Sequence, residues 1–177
     1  MLEGKNVNLR ICEKEDLPLV TEWVNDPEFF GEFFSPIQRS RIDIENVQDN
    51  NPFDFERFII EKKDGIKIGL IYHFCMLHPM EKLLEIGYAL VQNERSKGYC
   101  TEAAKIMVDY LFLSKDIVCI QALTDVDNIA SQKVLENAGF KKEGVIRKRF
   151  FTRGEWRDSW FHSILREEWK EPKILKK

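Results

Sequence analysis

The chain has 177 residues, 44% of them hydrophobic and 32% charged, which suits one globular unit with a sizeable core. Its 27 basic and 30 acidic residues leave a net charge of −3, so no molecule-wide basic field for nucleic acid exists. No apolar run approaches the ~18 residues of a membrane span, and the first residues alternate around Glu3 and Lys5 rather than forming a signal peptide.

Val7, Leu9 and Ile11 alternate with polar neighbours, the period of a half-buried strand. Asp16 is placed to cap a helix whose face carries Leu17, Val20, Trp23 and Val24, and Asn25-Asp26-Pro27 ends it. Phe29, Phe30, Phe33 and Phe34 follow in a stretch broken by Gly31, Ser35 and Pro36. They read either as a satellite core under a long connection or as a wall for a substrate. A short helix is predicted near 42–47 and is closed by Pro52. A meander of three strands comes next, at 55–63, 66–76 and 83–91. Asp64-Gly65 is its two-residue hairpin, and 78–81 its second turn. His73, Cys75 and His78 do not make a zinc site, because His78 lies beyond the strand and no fourth ligand accompanies them. No metal is expected.

Arg95-Ser96-Lys97-Gly98-Tyr99-Cys100-Thr101 then leads into a helix with Ala104, Met107, Val108 and Leu111 at helical spacing. The first N–H groups of a helix have no internal partner and carry partial positive charge. Gly98 permits a tight backbone, and Arg95 and Lys97 add charge. The stretch reads as a phosphate or pyrophosphate site, or as an ordinary loop before a helix. It is neither a Walker A loop nor a dinucleotide-binding turn, since its glycines fit neither spacing. A buried strand at 117–123 is parallel to the preceding one if the helix crosses between them. Asp127 or Asn128 caps the next helix, and Gly139 stops it.

Two strands, 144–151 and 155–165, meet at Thr152-Arg153-Gly154. One face of the last carries Trp156, Asp158, Trp160 and His162, either as core with a satisfied polar pair or as an acceptor-binding edge. Exposed tryptophans there would support a homodimer. The basic run Arg147, Lys148, Arg149 and Arg153 reads as a solvated strand face. Residues 170–177 form a charged tail expected to fray. Four cysteines, Cys12, Cys75, Cys100 and Cys119, form no Cys-x-x-Cys pair, so buried free thiols in a reducing cytoplasm are expected. No linker or repeat divides the chain, which reads as one domain over 1–177.

The loop Arg95-x-x-Gly98-x-Cys100 is preceded by Glu85-Ile86-Gly87-Tyr88 and followed by Asn128-Ile129-Ala130-Ser131 through Gly139-Phe140. Together they resemble the GNAT superfamily of acyl-CoA-dependent N-acetyltransferases. Within it they are most similar to the branch typified by ribosomal-protein N-terminal acetyltransferases, the RimJ/RimL type. The similarity runs from Leu9-Arg10 to Trp169, and Cys100 stands in the last small-residue place of the loop motif.

The resemblance implies an α+β fold. Its sheet is mixed and mostly antiparallel, with six to seven strands, about four helices and one parallel pair that splays apart. It implies acetyl-CoA as co-substrate, with the pyrophosphate on the N–H groups of Ser96, Lys97, Gly98, Tyr99, Cys100 and Thr101. Arg95 and Lys97 would assist as charges. The pantetheine would lie along the main chain of Ala89, Leu90 and Val91, near Asn128 and Ser131. The implied acceptor is a protein N-terminus or a small amine, with neither nucleic acid nor membrane as partner.

Glu85, flanked by Leu84 and Ile86, is the candidate base, since a partly desolvated carboxylate has a raised pKa. Many members carry a tyrosine acid where this chain has Leu135, which cannot donate a proton. In the resembled branch a serine, here Ser131, is placed to approach the thiolate, with water as the alternative. The implied mechanism is direct attack in a ternary complex. Cys100 is read as a packing residue, although a helix N-terminus would lower a thiol pKa. Leu135 also keeps open a non-catalytic acyl-CoA-binding or partner-binding module.

Overall fold

The computed structural model describes residues 1–49, 55–75 and 83–175. Its elements run β1 (Leu2–Glu3), β2 (Val7–Ile11), α1 (Leu17–Asn25), α2 (Pro27–Phe30), α3 (Arg41–Asp49), β3 (Glu56–Lys62) and β4 (Lys67–Phe74). They continue as β5 (Leu83–Leu90), α4 (Tyr99–Ser114), β6 (Cys119–Asp125), α5 (Ile129–Ala138), β7 (Lys141–Thr152) and β8 (Glu155–Leu165). The described strands form one eight-stranded sheet in the order β1-β2-β3-β4-β5-β6-β8-β7. Only β5 and β6 pair in parallel. This is the expected α+β arrangement, enlarged by the two-residue β1 and the single-turn α2, which are too short to show a period.

Helices cover both faces, so the central strands are apolar on both sides. Val7, Phe58, Ile60, Leu84 and Ile86 pack with Ala103, Ala104, Met107 and Leu111 of α4. Cys12, Ile59, Leu70 and Ala89 pack with Val20 and Trp23 of α1, Phe29 of α2 and Ile44 of α3. Phe58, Ile59 and Ile60 thus alternate between two cores, as the strand pleat requires.

Several local expectations are corrected. Asp16 is the N-cap residue of α1, but its side chain makes no capping hydrogen bond to that helix. Its buried carboxylate accepts from the Glu13 N–H at 3.0 Å, from both Arg10 terminal nitrogens at 2.9 and 2.8 Å, and from Lys67 at 2.7 Å. Burial alone would raise its pKa, yet these donors hold it well below the usual carboxylate range. The first hairpin has three loop residues, not two. Lys62 N–H reaches Ile66 O, Gly65 N–H reaches Lys62 O, both at 2.9 Å, and Gly65 takes a left-handed φ of 84°. That is a type I turn closed by a glycine bulge. Pro52 and the turn at 78–81, with His78, lie outside the described residues.

The tail is anchored rather than frayed as far as Leu175. Asp109 on α4 is wholly buried and accepts from the main-chain N–H groups of Lys173, Ile174 and Leu175 and from Trp169 Nε1. Ile174 and Leu175 pack against the main core. A charged composition hid this, because its acceptor sits 64 residues earlier in the chain. No helix among the described residues is long and apolar enough to cross a membrane.

Candidate active site

The parallel pair is joined only at its base. Leu83, Leu84 and Glu85 face Cys119, Ile120 and Gln121, and no pairing is recorded beyond. From there β5 stays with β4 and β6 stays with β8. The strands part because each is committed to its outer neighbour, and the gap opens into a cavity of about 1050 Å³. Leu90, Gly98, Asn128 and Ser131 border it, as do Phe34, Glu85 and Arg149.

The gap decides which main-chain groups are free. Val91 N–H donates to Ile68 O, and Val91 O accepts from Glu94 N–H. Alternate residues of an antiparallel strand turn their main-chain groups to the same side. Ala89 therefore also faces β4, while Tyr88 and Leu90 face the gap. The expectation that Ala89 and Val91 offer free main chain is thus wrong. Leu90 remains, with Tyr88 in their place. Leu90 O is taken by Arg95 Nε at 3.0 Å.

At the gap's mouth, Ser96 and Gly98 both take left-handed backbone, with φ of 61° and 84°. Gly98 is the N-cap of α4. The helix ladder begins with Glu102 N–H on Gly98 O. Among the described residues, no acceptor meets the N–H groups of Ser96, Lys97, Gly98, Tyr99, Cys100 or Thr101. This is a bare run of amides at a positive helix end, as an anion requires. Glu102 stays out of it, because its carboxylate accepts from Asn6 N and Asn6 Nδ2 at 2.8 and 2.7 Å.

The two cations assigned to this loop do other things. Arg95 spends its guanidinium on main-chain carbonyls of Leu90, Phe29 and Glu28, tying α2 to the end of β5. Lys97 pairs with Glu94 at 3.0 Å. Sequence adjacency suggested phosphate charges, but each side chain met an acceptor of the same chain first. Lys133 on α5 borders the cavity instead, and nothing in local pattern marked it. Cys100 packs against the main core, in keeping with a packing residue. Burial pushes its thiol up to about 12, outweighing the lowering charge of nearby Arg95.

Glu85 sits at the closed end of the gap, 7% exposed. Gln121 Nε2 donates to it at 2.9 Å. Burial raises its pKa, while Gln121 and the charge of Arg149 oppose the rise. On the α5 side, Asn128 Oδ1 accepts from Ser131 N–H at 3.0 Å, so Asn128 rather than Asp127 is the cap of that helix. Ser131 Oγ lies 2.9 Å from the Tyr88 hydroxyl, which also reaches Ser131 O at 3.2 Å. Burial lifts the Tyr88 pKa well above the usual phenol range, so this pair stays protonated. Leu135 is buried in the core. A phenol thus enters from β5 where the helix has none. Thr124 Oγ1, on β6, is buried, borders the gap and lacks a partner. Tyr88 and Thr124 were not singled out as site residues because only the splay brings their strand faces to one opening.

The aromatic segment serves both the second core and the cavity, and Phe29 and Phe30 belong to each. Phe29 stacks on Trp23 at 5.3 Å and belongs to the second core. Phe30, Phe33 and Phe34 line the cavity. Arg153, from the β7–β8 hairpin, donates to Phe34 O at 3.3 Å and Gly31 O at 3.4 Å and holds this wall in place. The face of β8 carries no Asp158–His162 pair. Asp158 accepts from Lys148 N–H, and His162 is buried with a lowered pKa. Trp156 is 59% exposed, whereas Trp160 lies under Lys142. Among the described residues no metal-binding cluster occurs, and His73 Nε2 meets Glu56 at 3.0 Å.

A family profile described as an acetyltransferase (GNAT) domain matches residues 6–141. The chain belongs to the GNAT acetyltransferase family. Curated GNAT relatives include "Probable N-acetyltransferase YjcK" of Bacillus subtilis, 32% identical over 93% of this chain and 95% of that protein. The spermidine N(1)-acetyltransferase of Escherichia coli K12 is 25% identical over 90% and 86%. Among solved structures, a spermidine N-acetyltransferase from Vibrio cholerae in complex with CoA and spermine matches with a TM-score of 0.80 at 22% identity, covering 94% of this chain and 99% of that one. The general GNAT reaction is acetyl transfer from acetyl-CoA to an amine, and this chain is an enzyme of that class.

Proposed function

We propose that the chain acetylates the primary amine of an N-terminus or small molecule, by direct attack on acetyl-CoA in a ternary complex. The bare amide run from Ser96 to Thr101 at the mouth of the splayed strands carries this reading. It fits a diphosphate, and Thr124 Oγ1, the gap-facing main chain of Tyr88 and the N–H of Leu90 fit the amides of a pantetheine arm. Glu85 takes the proton of the amine, because burial brings its pKa toward the working pH. Ser131, hydrogen-bonded to Tyr88, supplies the proton to the departing thiolate. Cys100 forms no acyl intermediate, since a thiol near 12 is not a nucleophile at neutral pH. The Glu85-Ile86-Gly87-Tyr88 motif also supports membership in the ribosomal N-terminal branch, and exposed Trp156 supports a homodimer through the last hairpin.

Steady-state release of CoA, with both substrates varied, tests the reaction. Intersecting velocity patterns are expected. Parallel patterns, or a burst of CoA without acceptor, would replace direct attack by a covalent route.

A further inference from the structure

In β7, Ile146 pairs with Ser159 and Phe150 with Arg157, so Arg147, Lys148 and Arg149 all stand opposite Asp158. The surplus is accommodated by a bulge. Lys148 takes a left-handed φ of 50°, uncommon for a residue with a side chain, and its N–H is pinned to Asp158 Oδ1 at 2.8 Å. A bulge re-aims the side chains beside it. Here it delivers Arg149 to the cavity wall, beside the Phe150 ring.

Arg149 meets the Phe150 ring and its charge reaches Glu85, but it makes no hydrogen bond or ion pair among the described residues. Its Nε is buried and unbonded, and no carboxylate among the described residues pairs with it. Other arginines at this end are spent. Arg95 and Arg153 bind main-chain carbonyls, and Arg157 binds Asp125 at 2.8 Å. Glu85 accepts a hydrogen bond from Gln121, while Arg149 acts on it through its charge without a hydrogen bond. A buried guanidinium nitrogen with no acceptor is costly unless a ligand supplies one.

We infer that Arg149 is the anion subsite of the acceptor pocket, and that the acceptor is an amine bearing a carboxylate or phosphate on the same molecule. The inference rests on the acetyl-transfer reading above. Glu85 receives the amine and Arg149 the anionic end, so the pocket complements a zwitterion. A polyamine would bring like charge to Arg149. Glu32 at the cavity edge is the feature that favours a polyamine instead.

The test is an acceptor panel followed by CoA release. It contains amino acids and their C-terminal amides, glucosamine and glucosamine 6-phosphate, and spermidine. The acid or the phosphate should be preferred over its neutral analogue, and the two arms tell carboxylate from phosphate. Arg149→Met should raise the KM of the anionic acceptor by about 10- to 100-fold, the range of a charge-assisted hydrogen bond, without moving the KM of acetyl-CoA. Arg149→Lys should rescue part of the loss. Equal use of acid and amide, preference for spermidine, or a changed KM for acetyl-CoA alone would overturn the assignment. If nothing in the panel releases CoA, calorimetry with the same acid–amide and phosphate–sugar pairs decides. Binding of an anionic member alone keeps the subsite while the acetyl-transfer reading fails. Equal or absent binding of all members removes the subsite.

Discussion

Two places in this molecule gather main-chain N–H groups, and they differ in what meets them. Behind α4, the amides of Lys173, Ile174 and Leu175 converge on Asp109, which also accepts from Trp169. In front of α4, the amides from Ser96 to Thr101 converge on no protein atom among the described residues. The first cluster is satisfied internally and fastens the chain's end. The second keeps its capacity unused, and the buried orphans Thr124 Oγ1 and Arg149 Nε share the same cavity. Buried polar groups are nearly always paired, so a concentration of unpaired ones marks a place for a ligand. Ser159 Oγ, Arg57 Nη1 and both ring nitrogens of His162 are buried orphans outside the cavity, so an orphan marks a ligand place only where it faces open space, as Thr124 and Arg149 do.

The contrast can be broken at either end. The largest effect should come from Glu85→Gln, which removes the buried carboxylate at the closed end of the gap. A loss of about 10²- to 10⁴-fold in kcat/KM is expected of a missing general base. In the unsubstituted enzyme, kcat/KM should fall as pH drops through the Glu85 pKa. Burial raises that pKa, so the fall should begin above the ordinary glutamate value of ~4.3. A pH profile that Glu85→Gln leaves unaltered in shape would remove Glu85 from the mechanism.

Asp109→Ala attacks the satisfied cluster. Stability should drop by about 2–4 kcal/mol, the cost of stripping a buried acceptor from several donors. Denaturant unfolding measures the loss, and hydrogen exchange at 173–175 should become fast while the KM of acetyl-CoA holds. Unchanged exchange would mean that packing by Ile174 and Leu175 alone holds the tail.

These predictions also show what a sequence makes visible. The bare amide loop was legible because its features are local: a glycine, a helix start and their spacing lie within seven residues. The burial of Glu85 beside the gap was legible from its place as a lone carboxylate in an apolar strand. The partners of Arg95 and Lys97 were not legible, because a cation next to a loop in sequence still pairs with whatever folds against it. Tyr88 and Arg149 needed the splay and the bulge, both of which depend on strand pairing at long range. The anchored tail was hidden for the same reason, since Asp109 lies on a helix far upstream.

Smaller effects sharpen the open cluster. Gly98→Val adds left-handed strain of about 1–2 kcal/mol, and its Cβ meets nothing within 4 Å. Its main consequence should therefore be a rise of about tenfold in the KM of acetyl-CoA, measured at saturating acceptor. A pure stability loss with no change in KM would place the diphosphate elsewhere. Smallest of all, Cys100→Ala should keep kcat within about twofold, because a thiol pushed up to about 12 takes no part at neutral pH.

The most direct test of the central claim compares CoA with pantetheine, which lacks the diphosphate, by calorimetry and by amide chemical shifts. The account predicts that CoA binds at least about a hundredfold more tightly, as several charge-assisted bonds require. It also predicts that the resonances of Ser96 to Thr101 move with CoA and stay still with pantetheine. Equal affinities, or shifts that bypass those six residues, would contradict it.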